Sequence, residues 1–166
     1  MTTCSHQNFD HVKKLGADAW FDYKEPNCGE EIREHTMNNL ENAFSTIFEG
    51  PSIAICADAL SSTSGCEYSE LLPIEFPRKN VESGSTIAYT ALGEDLKFGP
   101  KEIPGNKEAL EIAVIFWNLT EKLLAEGELK VHTPSIAKGG LGGMLDGLQA
   151  LRENRVSGQK LVYTVG

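Results

Sequence analysis

Three scarcities bound what this chain can be. No apolar run approaches the ~20 residues that cross a membrane, and no signal peptide opens the sequence. Positive charge is short: 15 Lys and Arg stand against 24 Asp and Glu, a net charge of -9. That balance repels phosphate, which argues against nucleic acid or an anionic membrane as partner. The four cysteines, Cys4, Cys28, Cys56 and Cys66, form no Cys-x-x-Cys pair, and the four histidines, His6, His11, His35 and His132, show no zinc-ligand spacing. The expectation is a cytoplasmic protein with free thiols and no metal.

Catalytic signatures are also sparse. There is no Gly-x-Ser-x-Gly elbow and no Gly-Lys-Ser/Thr ending of a nucleotide loop. The cluster Gly139-Gly140-Leu141-Gly142-Gly143 begins a dinucleotide fingerprint, but Leu145 stands where its third glycine belongs. It also follows Ser135-Ile136-Ala137-Lys138 rather than a clear buried strand, so it reads as a flexible entry to a helix.

What is present is an alternation of strand and helix patterns over 166 residues, enough for one domain with a substantial core. Thr2–Cys4 reads as a strand. Ser5 can cap a short helix whose Phe9, Val12 and Leu15 share a face, Gly16 ends it, and Ala19–Asp22 is a strand. Glu30–Asn42 looks helical, and Phe44–Phe48 is short and apolar. The near-continuous apolar run Ser52–Leu60 predicts a strand over Ile53–Ala57 buried on both faces. Tyr68–Leu72 suits one helical turn, Gly84–Ala91 a strand, and Leu96–Gly105 a loop. Asn106 can cap the longest helix, Lys107–Glu126, whose apolar stripe is wider than one face requires. Leu129–His132 reads as extended, and a helix through Leu145, Leu148 and Leu151 precedes a closing strand, Lys160–Val165. The class is α/β with a mostly parallel sheet and flanking helices.

Individual residues then stand as candidates. Asp58, at the end of its apolar run, can orient a ligand hydroxyl or cap a turn. His132, beside Thr133-Pro134, is a candidate acid or base, or an ordinary loop histidine. Phe116 and Trp117 on the long helix can line a pocket or pack in the core.

Two runs carry a family resemblance. Asn8-Phe9-Asp10, Val12-Lys13, Leu15-Gly16-Ala17-Asp18 and Phe21-Asp22-Tyr23 form the first. Gly139-Gly140-Leu141, Gly147-Leu148, Leu151-Arg152 and Val156–Tyr163 form the second, with a weaker match at Asp58–Ser61. Together they resemble the fungal trans-acting enoyl reductases, of the medium-chain dehydrogenase/reductase superfamily, which work beside polyketide synthases. The resemblance implies a single Rossmann-like domain over residues 1–166, truncated and lacking the first strand and its glycine-rich turn. It implies NADPH contacts at Ser5, Asn8 and Tyr23, around the 2′-phosphate, and a nicotinamide side near Asp58–Ser61 and Tyr89–Leu92. Without the turn that holds the pyrophosphate, NADPH binding is expected to be weak or absent.

Three functions follow. One is an active NADPH-dependent enoyl reductase. Another is a non-catalytic partner protein. The favoured one is a cofactor-independent cyclase or isomerase acting on a hydrophobic polyketide-like intermediate, with Asp58, Tyr89 and His132 as catalytic candidates and Phe116, Trp117 and Thr90 lining the substrate pocket. Unpaired strands on either side of the missing one lead to the expectation of a homodimer.

Overall fold

The structure is a computed structural model and describes residues 1–47, 50–63 and 65–165. The short apolar stretch Phe44–Phe48 reaches Phe48, outside the described residues. The chain forms two compact units, Met1–Asn118 and Leu119–Gly166.

The first unit opens with β1 (Thr2–Cys4), a single 3-10 turn (His6–Asn8), α1 (Phe9–Lys14) and β2 (Trp20–Asp22). β1 and β2 pair in parallel, Thr3 opposite Phe21. Gly16, at φ 100°, ends the α1 segment where a side chain would be strained. After α2 (Cys28–His35), β3 (Asn42–Ser45), α3 (Ser52–Ala59), β4 (Cys66–Glu70) and β5 (Val81–Ser85) follow. β3, β4 and β5 form a parallel sheet in that order. A 3-10 turn (Ala88–Leu92) then precedes β6 (Leu96–Phe98) and β7 (Lys101–Ile103), an antiparallel hairpin.

Four expected stretches change here. Ile53–Ala57 is a helix, not a strand. Ile55 and Ala59 pack on Cys28 and Ile32 of α2, while Ala57 and Leu60 pack with Tyr68, Phe76 and Val81 over the sheet. A helix buried on two sides carries no polar period, so its sequence matches that of a buried strand. Asp58 therefore lies on an exposed turn of α3 and does not follow a strand. Tyr68–Leu72 is not a helical turn: Cys66, Tyr68 and Glu70 point into the core while Glu67 and Ser69 point out, the two-residue period of a strand. The expected strand Gly84–Ala91 ends at Ser85, and the expected loop Leu96–Gly105 contains the β6–β7 hairpin, turned at Gly99-Pro100.

The α2–α3 contact is close. A Cβ on Gly29 would stand 2.5 Å from Asp58 Cβ and 2.8 Å from the Ile55 carbonyl, so only glycine fits. Arg78 closes the C-terminal end of α3: its guanidinium donates to the carbonyls of Ala57 and Leu60 at 2.9 Å and of Ser61 at 2.6 Å. Those carbonyls lack helical partners, and a cation there also opposes the helix dipole.

The long helix α4 (Lys107–Ala125) forms as expected, with Asn106 Oδ1 accepting the Ala109 N–H at 3.1 Å. None of its described residues is buried.

The second unit contains β8 (Pro134–Ala137), α5 (Gly140–Arg152) and β9 (Lys160–Tyr163), with β8 and β9 parallel. The extended piece expected at Leu129–His132 begins instead at Pro134. Proline is tolerated as a first strand residue because no ladder bond needs its missing N–H.

Candidate functional site

In an open parallel sheet, ligands gather at the carboxyl ends of the strands, where the strand order reverses. That place can be derived from two adjacent residues. Trp20 and Phe21 point to opposite faces of β2. Phe9 of α1 packs on Trp20, with ring centroids 6.4 Å apart, and Lys13 lies over the same ring at 5.4 Å. Phe21 instead meets His35 of α2 edge-on at 5.5 Å. So α1 and α2 lie on opposite faces. Crossovers between parallel strands are right-handed, so the chain moves one way along the sheet through α1 and back through α2. β3 therefore lies on the β1 side of β2, and the reversal falls between β1 and β3.

The carboxyl ends of β1 and β2 form the first half of the site. Ser5 Oγ accepts the Asn8 side-chain N–H at 3.1 Å, so two of the expected cofactor residues meet directly. Asp22 ties the two strand ends together: one carboxylate oxygen accepts the His6 N–H at 3.1 Å, the other the Lys24 N–H at 3.0 Å. Tyr23 follows on the end of β2, partly exposed, with Lys24 Nζ 6.0 Å from its ring. Cys4 is pushed up from its ordinary thiol value, first by burial and then by Asp22. With Asp22 engaged by backbone N–H groups, the outward groups here are a hydroxyl, an amide, a phenol and an ammonium. That set suits an anion such as a ribose phosphate.

The carboxyl ends of β3, β4 and β5 form the second half. Ser45, Glu70 and Ser85 stand in register across them. Glu70 is 3% exposed, and both its oxygens are engaged: Tyr68 O–H donates to Oε2 at 3.0 Å and the Ile74 N–H to Oε1 at 2.9 Å. Tyr68 stacks on Phe76 at 4.1 Å, and its phenol is pushed up to about 12, by burial first and the Glu70 bond next. A cavity of about 290 Å³ opens beside Glu70, lined by Pro73, Ile74, Ser83, Gly84 and Ser85. Sequence reasoning missed Tyr68 and Glu70. Their signal is the alternation Cys66-Glu67-Tyr68-Ser69-Glu70, whose last inward position is an acid.

Other candidates are more dispersed. Tyr89 is 55% exposed on its 3-10 turn, and Thr90 turns its hydroxyl back onto the Ile87 carbonyl at 2.8 Å. His132 is exposed outside any regular element. Phe116 and Trp117 are 63% and 67% exposed, and neither they nor Thr90 line the cavity at Glu70. Among the described residues no group of three or more His, Cys, Asp or Glu can hold a metal ion, and no helix is long and apolar enough to cross a membrane. All four cysteines are free.

The glycine cluster is explained by packing. The strand that precedes it, β8, has no buried residue, and Gly139 takes φ 95° at the turn. A Cβ on Gly143 would overlap the Lys138 carbonyl, and one on Gly147 the Tyr163 hydroxyl. These glycines let α5 lie against its flanking strand rather than frame a phosphate.

No protein-family model matches the chain. Curated proteins do. It is 43% identical over 164 residues to the trans-enoyl reductase ACTTS2 of Alternaria alternata, covering 98% of this chain and 47% of that protein. It is 44% identical over 156 residues to the dual trans-enoyl reductase/FAD-dependent monooxygenase tazHJ of Aspergillus terreus, covering 93% of this chain and 22% of that one. The chain is a homologue of the fungal trans-enoyl reductases. This homologue spans about half the length, or less, of the curated relatives it matches. Solved structures agree on the fold of the homologue: the CurF ER cyclopropanase from the curacin A pathway superposes with a TM-score of 0.70 at 17% identity, covering 99% of this chain and 46% of that one. CurA of Vibrio vulnificus, solved with NADPH, gives 0.63 at 16% identity, covering 99% and 48%.

Proposed function

We propose that this chain is the cofactor-side part of a trans-enoyl reductase of polyketide secondary metabolism. The observation that carries the reading is the pair of carboxyl-end clusters on either side of the strand reversal. They lie in a chain whose relatives are named trans-enoyl reductases. The Ser5, Asn8, Tyr23 and Lys24 groups fit the ribose-phosphate end of NADPH. The Ser45, Glu70 and Ser85 edge stands where the nicotinamide end would extend. No glycine-rich turn for the pyrophosphate accompanies these clusters among the described residues, so binding by these 166 residues alone is weak. NADPH, when bound, supplies a hydride to an enoyl double bond. The chain's own part is to grip the adenosine end, and to present hydroxyls and a shielded carboxylate at the other.

A second reading rests on Tyr68 and Glu70. A carboxylate beside a cavity and hydrogen-bonded to a phenol can take a proton from one carbon of an enone-like ligand and return it to another. That would be a cofactor-independent isomerase, or a cyclase, acting on a hydrophobic polyketide-like intermediate. One experiment separates the two: incubation with a simple enoyl thioester, with and without NADPH. Consumption of NADPH with saturation of the double bond supports the reductase reading. Conversion without NADPH that is lost in Glu70→Gln supports the isomerase. Tyr89→Phe, His132→Ala and Asp58→Ala test the remaining candidates in the same assay. No conversion under either condition, together with no NADPH binding, overturns both.

A further inference from the structure

Among the described residues, Glu70 is a buried carboxylate without a cationic partner. Its two donors, the Tyr68 phenol and the Ile74 N–H, are neutral. Arg78, in the connection from β4 to β5, commits its guanidinium to the α3 carbonyls and to Asn80. The other described residues lining the cavity, Pro73, Ile74, Ser83, Gly84 and Ser85, carry no charge. The register sets Tyr68 opposite Ser83 and Glu70 opposite Ser85, so the carboxylate and both serines share one face of the sheet. Glu67 and Glu82, one residue out of phase, point to the other face. A ligand in this cavity therefore meets one negative charge, and nothing in the lining offsets it.

We infer that Glu70 makes this cavity select the oxidised, positively charged form of a nicotinamide ring over the reduced, neutral form, and so favours release of hydride to the substrate. The inference rests on the reductase reading, which extends the nicotinamide end to the Ser45, Glu70 and Ser85 edge. Hydride transfer breaks a C–H bond on the ring, forms one at the enoyl carbon β to the carbonyl with the same electron pair, and leaves the ring one unit more positive. The α-carbon of the resulting enolate takes its proton from water. Positive charge thus develops where a carboxylate already stands. Tyr68 and the Ile74 N–H hold that carboxylate in place, so it needs no reorganisation as the charge appears. Glu70 acts here through its charge and transfers no proton, which separates this role from the base of the isomerase reading.

In the test, NADP+ and NADPH are titrated separately into this chain and followed by the backbone amide NMR shifts of Glu70, Ile74 and Ser85. NADP+ should saturate those shifts at a concentration on the order of tenfold below that of NADPH, which makes the bound couple ~30 mV more reducing than the free one. NADP+ carries one negative charge fewer, so the acidic chain as a whole also favours it. Glu67→Gln, on the opposite face of β4, removes the same formal charge and should keep the preference. Glu70→Gln should bring the two affinities to within about twofold of each other. Tyr68→Phe keeps the carboxylate and should keep the preference, and Tyr68→Phe/Glu70→Gln should lose it. That second pair decides the matter if Glu70→Gln alone does not fold. Equal affinities in the parent, a preference that survives removal of Glu70, or shifts confined to Ser5–Tyr23 would each overturn the inference and leave the reductase reading standing. No binding of either dinucleotide overturns the reductase reading and the inference with it.

Discussion

Tyr68 and Glu70, two residues apart on β4, point into the same core and share a 3.0 Å hydrogen bond from phenol to carboxylate. The pair stands next to a purely apolar cluster of Leu60, Val81 and Phe76. A buried carboxylate persists there because Tyr68 and the Ile74 N–H satisfy both its oxygens.

Removing the phenol should be costly for that reason. Tyr68→Phe leaves Glu70 Oε2 without its donor and should lower unfolding free energy by about 1–3 kcal/mol. Urea unfolding near neutral pH checks the loss, and adding Glu70→Gln to the Tyr68→Phe variant should recover part of it.

The same pair predicts an alkaline limit. The Tyr68 phenol is raised from 10.0 to about 12, so the folded state favours its neutral form. Its contribution is complete below about pH 10, the ordinary tyrosine value, and is lost as pH rises toward about 12. Urea midpoints measured across that window should fall more steeply in the parent than in Tyr68→Phe. Equal slopes would show that the phenol is not held neutral by its surroundings.

Arg78 should be hard to replace. Arg78→Met removes the guanidinium bonds to three carbonyls at the end of α3, leaving Ala57 and Ser61 only their longer bonds from Arg33 and the Cys66 thiol, and should cost roughly 2–4 kcal/mol, read from urea unfolding. Arg78→Lys keeps the charge but not the fork, and should recover less than half of the loss.

Gly29 tests the α2–α3 seam. Gly29→Ala drives a methyl into the Ile55 backbone and Asp58 Cβ, and should destabilise by about 1–3 kcal/mol. Gly142, with nothing within 4 Å of its added Cβ, is the control, and Gly142→Ala should be neutral or slightly stabilising in the interior of α5.

Trp117 distinguishes an open helix from a packed one. At 67% exposure, Trp117→Ala in this chain should change stability by no more than about 0.5 kcal/mol. A loss of the ~3–5 kcal/mol typical of a buried tryptophan would show that α4 is covered in solution.

The amino-acid order alone determined the α/β class, the first strand–helix–glycine turn–strand unit, and the long helix from Lys107. Each of these is written in local patterns: Phe9, Val12 and Leu15 at helical spacing, Gly16 at a left-handed position, Asn106 at a cap. It also carried the likeness to trans-enoyl reductases through the runs near Asn8 and Lys160. Tertiary structure decided what local pattern leaves degenerate. Ile53–Ala57 became a helix because α2 and the sheet cover it from two sides, which erases the period that would have declared it. Tyr68–Glu70 became a strand with an inward acid because a tyrosine and a backbone N–H two and four residues away arrive in position only when β4 is in place. The strand reversal between β1 and β3 is likewise invisible in any window of sequence. It depends on which face of β2 each helix takes, and that is fixed by long-range packing of Trp20 on Phe9 and of Phe21 on His35.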